Sequence, residues 1–199
     1  MLSPLNDSQQ RELLQAMHTV KQLLGRDTGA MADIRLRPHR SGDMGWVISR
    51  HGALYADEYG WDLGFEALVA RIAAAFIDQF DSAREAGWIA EQDDVRVGSV
   101  FLVQARNEQT HAPIAGCAQL RMLLVEPAAR GLGIGVRLVD ECERFARERG
   151  YQRIMLWTNS VLLAARGIYQ RAGYRLIASE PHHSFGYNLI GETWELDLA

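Results

Sequence analysis

The sequence predicts an α/β fold: a mixed central sheet flanked by helices, with an extra helix at the N-terminus. Short apolar runs of strand length alternate with longer stretches whose apolar residues recur every three to four positions, which is the signature of layered α/β architecture. The apolar run Leu120–Val125 leads through Glu126-Pro127 into a glycine-rich turn, Arg130-Gly131-Leu132-Gly133-Ile134-Gly135-Val136, and then into an amphipathic stretch. The 199 residues, 48% hydrophobic and 23% charged, suffice for one domain with a good core and a small appendage.

Residues 6–24 read as a helix. Asn6 and Gln9 fit a capping box, Leu13, Met17, Val20 and Leu24 form one stripe, and Gly25 ends it. One helix cannot bury its own apolar face, so this one must pack on the domain or on another chain. Residues 1–32 are therefore separated from a main domain at 33–199. Ile34–Arg37 alternates as a strand stopped by Pro38. Asp43–Tyr55 reads as a short helix burying Trp46 and Val47. Leu63–Phe80 reads as a longer one, with Phe65, Leu68, Val69, Ile72, Phe76 and Phe80 at helical spacing. Trp88–Glu91 and Val97–Gln104 read as strands joined by Asp93-Asp94, and Ile114–Val125 as a long central strand. A helix follows the glycine turn, with Val136, Leu138, Val139, Cys142, Phe145 and Ala146 on one face. Arg153–Thr158 is a buried strand, Leu162–Ala172 a helix closed by Gly173, and Tyr174–Ala178 and Glu192–Leu198 the last strands.

The net charge of −4 gives no reason to expect nucleic acid or an anionic membrane as partner. No apolar run nears the roughly 20 residues of a membrane helix, and the polar start is no signal peptide. Cys117 and Cys142 fall at core positions and read as free thiols, so a cytoplasmic location is expected. No metal-ligand spacing is present; the adjacent His182-His183 cannot readily share one ion from a strand.

A strand–glycine turn–helix unit aims backbone N–H groups and a helix N-terminus at one point, which suits phosphate oxygens. The dinucleotide fingerprint G-x-G-x-x-G fails here, because Val136 or Leu138 occupies its last position. The P-loop fails too, since the turn lacks lysine. What Arg130, Gly133 and Gly135 do match is (Gln or Arg)-x-x-Gly-x-(Gly or Ala), and Ala165, Tyr169 and Gly173-Tyr174 match A-x-x-x-Y-x-x-x-G-(F or Y). In both motifs the chain resembles the GCN5-related N-acetyltransferases, the GNAT superfamily, over residues 33–199. The resemblance implies a mostly antiparallel sheet, split between the strands ending at Val125 and Thr158 to admit the arm of acetyl-CoA.

On that resemblance the acetyl-CoA diphosphate lies on the backbone of Arg130, Gly131, Leu132, Gly133, Ile134, Gly135 and Val136. The arm pairs with Leu123, Leu124 and Val125, beside Ala165, and Tyr169 protonates the leaving thiolate. The sequence departs from the family where an asparagine often stands seven residues before the tyrosine: here that residue is Leu162, with Asn159 three residues earlier. It departs again where one branch of the family has a glutamate base on the central strand and this chain has Gln119. Glu91 is the expected replacement, with Glu126, His51, Glu58 or water as alternatives. The acceptor side is expected from the loops Tyr55–Trp61 and Pro181–Asn188, His182 and His183 among them.

Leu2-Ser3-Pro4-Leu5 and the helix after it resemble the dimerisation helix of MarR-type regulators, and His182–Leu196 is similar to the tail of MarR-fused GNAT domains. That implies a homodimer through residues 6–24. No winged helix-turn-helix pattern occurs, so no nucleic-acid role is expected of this chain. The expected activity is transfer of acetyl from acetyl-CoA to a primary amine, on a small molecule or a peptide, by direct attack in a ternary complex. The alternative is an acyl-CoA-binding sensor with little catalysis.

Overall fold

A computed structural model describes Asn6, Leu13, Ala16, Met17, Val20, residues 33–107 and residues 109–198. Leu13, Ala16, Met17 and Val20 are helical; the rest of the expected 6–24 helix and the 25–32 linker lie outside the described residues.

The described residues form seven strands and four further helices: β1 (Ile34–Pro38), α1 (Asp43–Tyr59), α2 (Leu63–Gln79), β2 (Ala86–Gln92), β3 (Val95–Arg106), β4 (Pro113–Val125), α3 (Ile134–Glu148), β5 (Arg153–Asn159), α4 (Leu163–Arg171), β6 (Arg175–Ser184) and β7 (Tyr187–Asp197). The sheet order is β1-β2-β3-β4-β5-β7-β6. Only β4–β5 is parallel, with α3 as its crossover; every other pairing is antiparallel.

Period-two alternation places the two halves of the core on opposite faces. Ile89 and Phe101 face Val47 of α1 and Phe76 of α2. Their neighbours Trp88, Ala90, Val100 and Leu102 face Leu138, Cys142 and Phe145 of α3. Asp93 and Asp94 both take positive φ in the β2–β3 hairpin, as a tight primed turn requires.

Two expectations are corrected. The helix beginning at Asp43 runs on to Tyr59, where Gly60 caps it at φ 71°, so Tyr55–Tyr59 is helix rather than loop. The expected 181–188 loop is a hairpin: β6 extends to Ser184, Phe185-Gly186 forms the turn at φ 57° and 83°, and β7 begins at Tyr187. Pro181 fits within β6 because that strand is the sheet's edge, where a missing N–H breaks no ladder bond.

Candidate active site

β4 and β5 pair only from Cys117↔Arg153 to Leu120↔Leu156. Past that point each keeps its outer partner, β4 with β3 as far as Val125 and β5 with β7 as far as Asn159. The two strands therefore splay, leaving the facing edges of Arg121–Val125 and Trp157–Asn159 without a strand partner. A bulge shapes the β4 side. Its register slips between Arg121 and Leu124, Met122 takes φ 56°, and the buried Ser99 hydroxyl donates to the Met122 carbonyl at 2.9 Å.

The glycine turn closes one end of the split. Gly131 and Gly133 have φ of 80° and 76°, a region that L side chains rarely adopt, and the space a Cβ would fill at either is open. None of the N–H groups from Gly131 to Val136 finds an acceptor among the described residues; helical bonding starts with Arg137 N to the Gly133 carbonyl. That leaves a concave row of free donors at a helix N-terminus. Gly135 is glycine for a different reason: a Cβ there would sit 2.7 Å from Ile168 Cδ1, so it lets α3 and α4 approach. The Arg130 guanidinium is already engaged, through Nε to the Val125 carbonyl (3.2 Å) and Nη2 to Glu58 (2.7 Å).

Two cavities meet in the split. The larger, of about 490 Å³, is lined by Leu123–Val125, Arg130, Gly131, Gly133–Val136, Ala165 and the α1 residues Tyr55 and Glu58. Leu132 is 47% exposed and does not line it. The smaller, of about 140 Å³, holds Tyr169, His51, Gln119, Arg121, Trp157 and Asn159, and shares Tyr55, Leu123, Leu162 and Ala165 with the larger. Tyr169 is buried on α4 and lines this cavity, and its hydroxyl has no hydrogen-bond partner among the described residues. Burial pushes its pKa above the ordinary phenol value, so it holds its proton.

The carboxylates expected near the chemistry are each neutralised. Glu91 lies at the β1–β2 edge, bound to Arg37 (2.7 Å), Arg35 (2.9 Å) and Arg40 (3.4 Å), outside both cavities. Burial would raise its pKa, but hydrogen bonds from Arg35 and Arg37 outweigh this and hold it below the usual value. A carboxylate so held is a poor base. Glu126 makes a two-pronged pair with Arg50, at 2.5 and 2.8 Å, and Glu58 is paired with Arg130. His51 does line the smaller cavity. Burial pulls it down to about 4 and its Nδ1 bonds the Val47 carbonyl, so the ring stays neutral. His182 holds Asn159 (2.8 Å) from β6, whereas His183 bonds Asn188 on the hairpin. No group of metal-ligating side chains occurs among the described residues.

The aromatics of the 55–61 segment form a packed cluster rather than an open cage: Tyr55, Tyr59, Trp61, Phe65 and Phe185 meet in tilted and edge-to-face pairs with ring centroids 4.5 to 5.7 Å apart. Arg121 and Trp157 were not singled out by sequence, since an arginine and a tryptophan in strands read as ordinary ladder residues. Only the splay turns them toward a cavity.

The pattern of the acetyltransferase (GNAT) family matches residues 53–174, which is more than half the chain and spans the turn, the split and Tyr169. The chain belongs to the GNAT family. Among curated relatives of this GNAT chain, human N-acetyltransferase 8B is 33% identical over 88 residues, 44% of this chain and 37% of that protein. The blasticidin-S acetyltransferase of Streptomyces morookaense is 42% identical over 69 residues, 33% of this chain and 47% of that protein. The chain thus spans less than half the length of these relatives. Among solved structures, yncA from Salmonella typhimurium, determined with its cofactor acetyl-CoA, superposes with a TM-score of 0.66 at 17% identity, covering 84% of this chain and 95% of that one. That is a likeness of fold. The residues present fit acetyl-CoA: free N–H donors and open space at Gly131 and Gly133 suit the diphosphate, and the unpaired β4 edge suits an amide-bearing arm.

Proposed function

We propose that this protein transfers an acetyl group from acetyl-CoA to a primary amine by direct attack in a ternary complex. The observation that carries the reading is the smaller cavity of the split, lined both by the buried Tyr169, whose hydroxyl has no partner among the described residues, and by Arg121–Leu123 of the unpaired β4 edge. Acetyl-CoA supplies a thioester; the acetyl carbon passes from sulfur to nitrogen, one C–N bond forming as one C–S bond breaks. The backbone of Arg130–Val136 binds the diphosphate, and Leu123–Val125 aligns the arm. Tyr169 donates its proton to the departing sulfur and regains one from solvent.

The surplus proton of the attacking nitrogen leaves through water. Glu91, Glu58 and Glu126 are each held by arginine, and burial leaves His51 a weak base. Residues 33–199 constitute the catalytic domain, and two buried free thiols suit the cytoplasm. The exposed stripe of Leu13, Met17 and Val20, with the MarR-like character of the segment around it, supports pairing of two copies.

The test is acetyl-CoA binding followed by release of free thiol across a panel of amines. Acetyl-CoA is expected to raise Tm in the wild type, and Gly133→Glu, which places an anion among the free N–H groups, is expected to abolish the shift. An acyl-CoA sensor would give the shift with no amine-dependent thiol release. No shift at saturating acetyl-CoA would sink both readings.

A further inference from the structure

The charge inventory of the split is one-sided. Its carboxylates are each matched by arginine, but Arg121 is matched by nothing: it makes no ion pair and no side-chain hydrogen bond among the described residues. It stands on β4 two positions before Leu123, with the bulge at Met122 between them. It lines both the 140 Å³ cavity that holds Tyr169 and a third cavity, of about 740 Å³, that runs outward past Gln104, Asn107 and His111. The one carboxylate on that outer wall, Glu85, accepts the N–H groups of Gln104 and Asp81 and lies beyond ion-pair distance of Arg121. Burial works against the guanidinium's charge, which arginine nevertheless retains. A partly desolvated cation without a counter-ion is costly unless a ligand supplies the anion, and the planar fork of arginine fits a carboxylate through two parallel hydrogen bonds.

We propose that Arg121 binds the carboxylate of the acceptor, and that the acceptor is a free amino acid whose amino group is acetylated. One guanidinium matches one carboxylate, and no second cation lines the 140 Å³ cavity to suit a phosphate dianion. Arg121 and Leu123 line the same 140 Å³ cavity, which sets the anionic group a few bonds from the reacting nitrogen. The outer cavity then receives the amino acid's side chain. This rests on the acetyltransferase reading and names the substrate class of that same site.

The experiment compares free L-amino acids with their own carboxamides, in wild type, Arg121→Gln and Arg121→Lys, following thiol release from acetyl-CoA. With kcat/KM normalised to the fraction of free amine, because a carboxamide loses its ammonium proton at lower pH than the acid, wild type is expected to favour acids over amides by about 10- to 100-fold, the usual worth of a hydrogen bond to a charged group. Arg121→Gln should lose that preference through KM with little change on amides, and Arg121→Lys should restore part of it. Calorimetry of the same pairs with CoA present reads binding apart from turnover, and the acid-over-amide ratio in wild type needs no variant to fold. Equal use of acids and amides overturns the proposal, as does an equal fall on both in Arg121→Gln, or the absence of both turnover and carboxylate-dependent binding across the panel. Titration with acetyl-CoA alone keeps the two readings separable: if it binds while Arg121 shows no preference, the acetyltransferase reading survives and this proposal fails.

Discussion

Tyr55 and Tyr169 both line the smaller cavity, and both are buried enough that their pKa values lie above the ordinary one. They differ in what surrounds them. Tyr55 belongs to a packed aromatic cluster and lies in the field of Arg130, whereas Tyr169 reaches the smaller cavity from α4. Tyr169→Phe is therefore expected to lower kcat by roughly 100- to 10,000-fold with acetyl-CoA affinity unchanged, and Tyr55→Phe to leave kcat within a few-fold; single-turnover thiol release checks both. The pH dependence follows from the same groups. With no carboxylate free to act as base, kcat/KM should climb as the acceptor amine loses its own proton. Because burial raises the folded-state pKa of Tyr169, the acid form persists past the ordinary phenol value of about 10 and no falling limb should appear below it. A bell centred near pH 7 would place a side-chain base back in the site. At this scale position is legible wherever spacing encodes it: Tyr169 from its distance to Gly173, and Gly131 and Gly133 from the turn they must make. Arg121 and the neutralised state of Glu91 were not legible. A charge's fate depends on which strand lies beside it, and Arg35, Arg37 and Arg40 reach Glu91 from more than fifty residues away.

At the level of elements, most of the chain followed from period and punctuation. Strands and helices were misjudged mainly where a local stop signal competed with tertiary context. The helix from Asp43 runs past the expected end at Tyr55: Tyr55 and Tyr59 are one helical turn apart with their rings in tilted contact, and the stop is Gly60. The expected 181–188 loop is a strand hairpin instead, because Pro181 falls on the sheet's edge, a placement that no local signal in the sequence carries. β1 shows what holds an edge in place. Arg37 is 11% exposed and ties two buried carboxylates, Asp43 at 2.6 Å and Glu91 at 2.7 Å, so it joins β1 to α1 and β2 at once. On Asp43, as on Glu91, burial favours the neutral acid and the guanidinium contacts win, so the folded-state pKa lies below the unfolded one. The pairs then contribute stability above the ordinary carboxylate range near 4, and that contribution is lost as pH falls through the lowered values. Arg37→Ala reverses the balance, leaving burial in command. It is expected to cost about 3 kcal/mol at pH 7, the low end for breaking a buried pair because Arg35 and Arg96 remain nearby. Urea melts should show the cost shrinking as pH falls through the ordinary carboxylate range near 4 and on through the lowered wild-type values, below which both carboxylates are protonated; a cost independent of pH would mean that packing, not charge, holds β1.

For the molecule as a whole, one antiparallel sheet is opened at its single parallel joint. Strands held tightly on their outer sides cannot also follow each other past Leu120 and Leu156 once the bulge at Met122 turns β4 away. The parallel joint requires a crossover, and α3 supplies it with a glycine turn at its N-terminus, so donor site and opening arise from the same connection. The proposed acceptor end, by contrast, is lined from α1, α2, β4 and β5, whose meeting no local motif announces, which is why the donor is legible in sequence and the acceptor is not. The N-terminal segment poses the remaining question of assembly. Leu13, Met17 and Val20 are helical and 49%, 60% and 54% exposed, at spacings of four, three and seven residues. Three large apolar side chains in one helical row are costly in water, by roughly 1.5–3 kcal/mol for each that burial would remove from it, and a second copy of the same row is a partner available at any concentration of the protein. Light scattering is expected to report a dimer at tens of micromolar, and Leu13→Glu with Met17→Glu a monomer. The thermal shift with acetyl-CoA should persist in that monomer, since the residues lining its cavity all come from positions 54–171. A wild-type monomer would remove the pairing; loss of the acetyl-CoA shift in the double variant would instead tie this helix to the donor site.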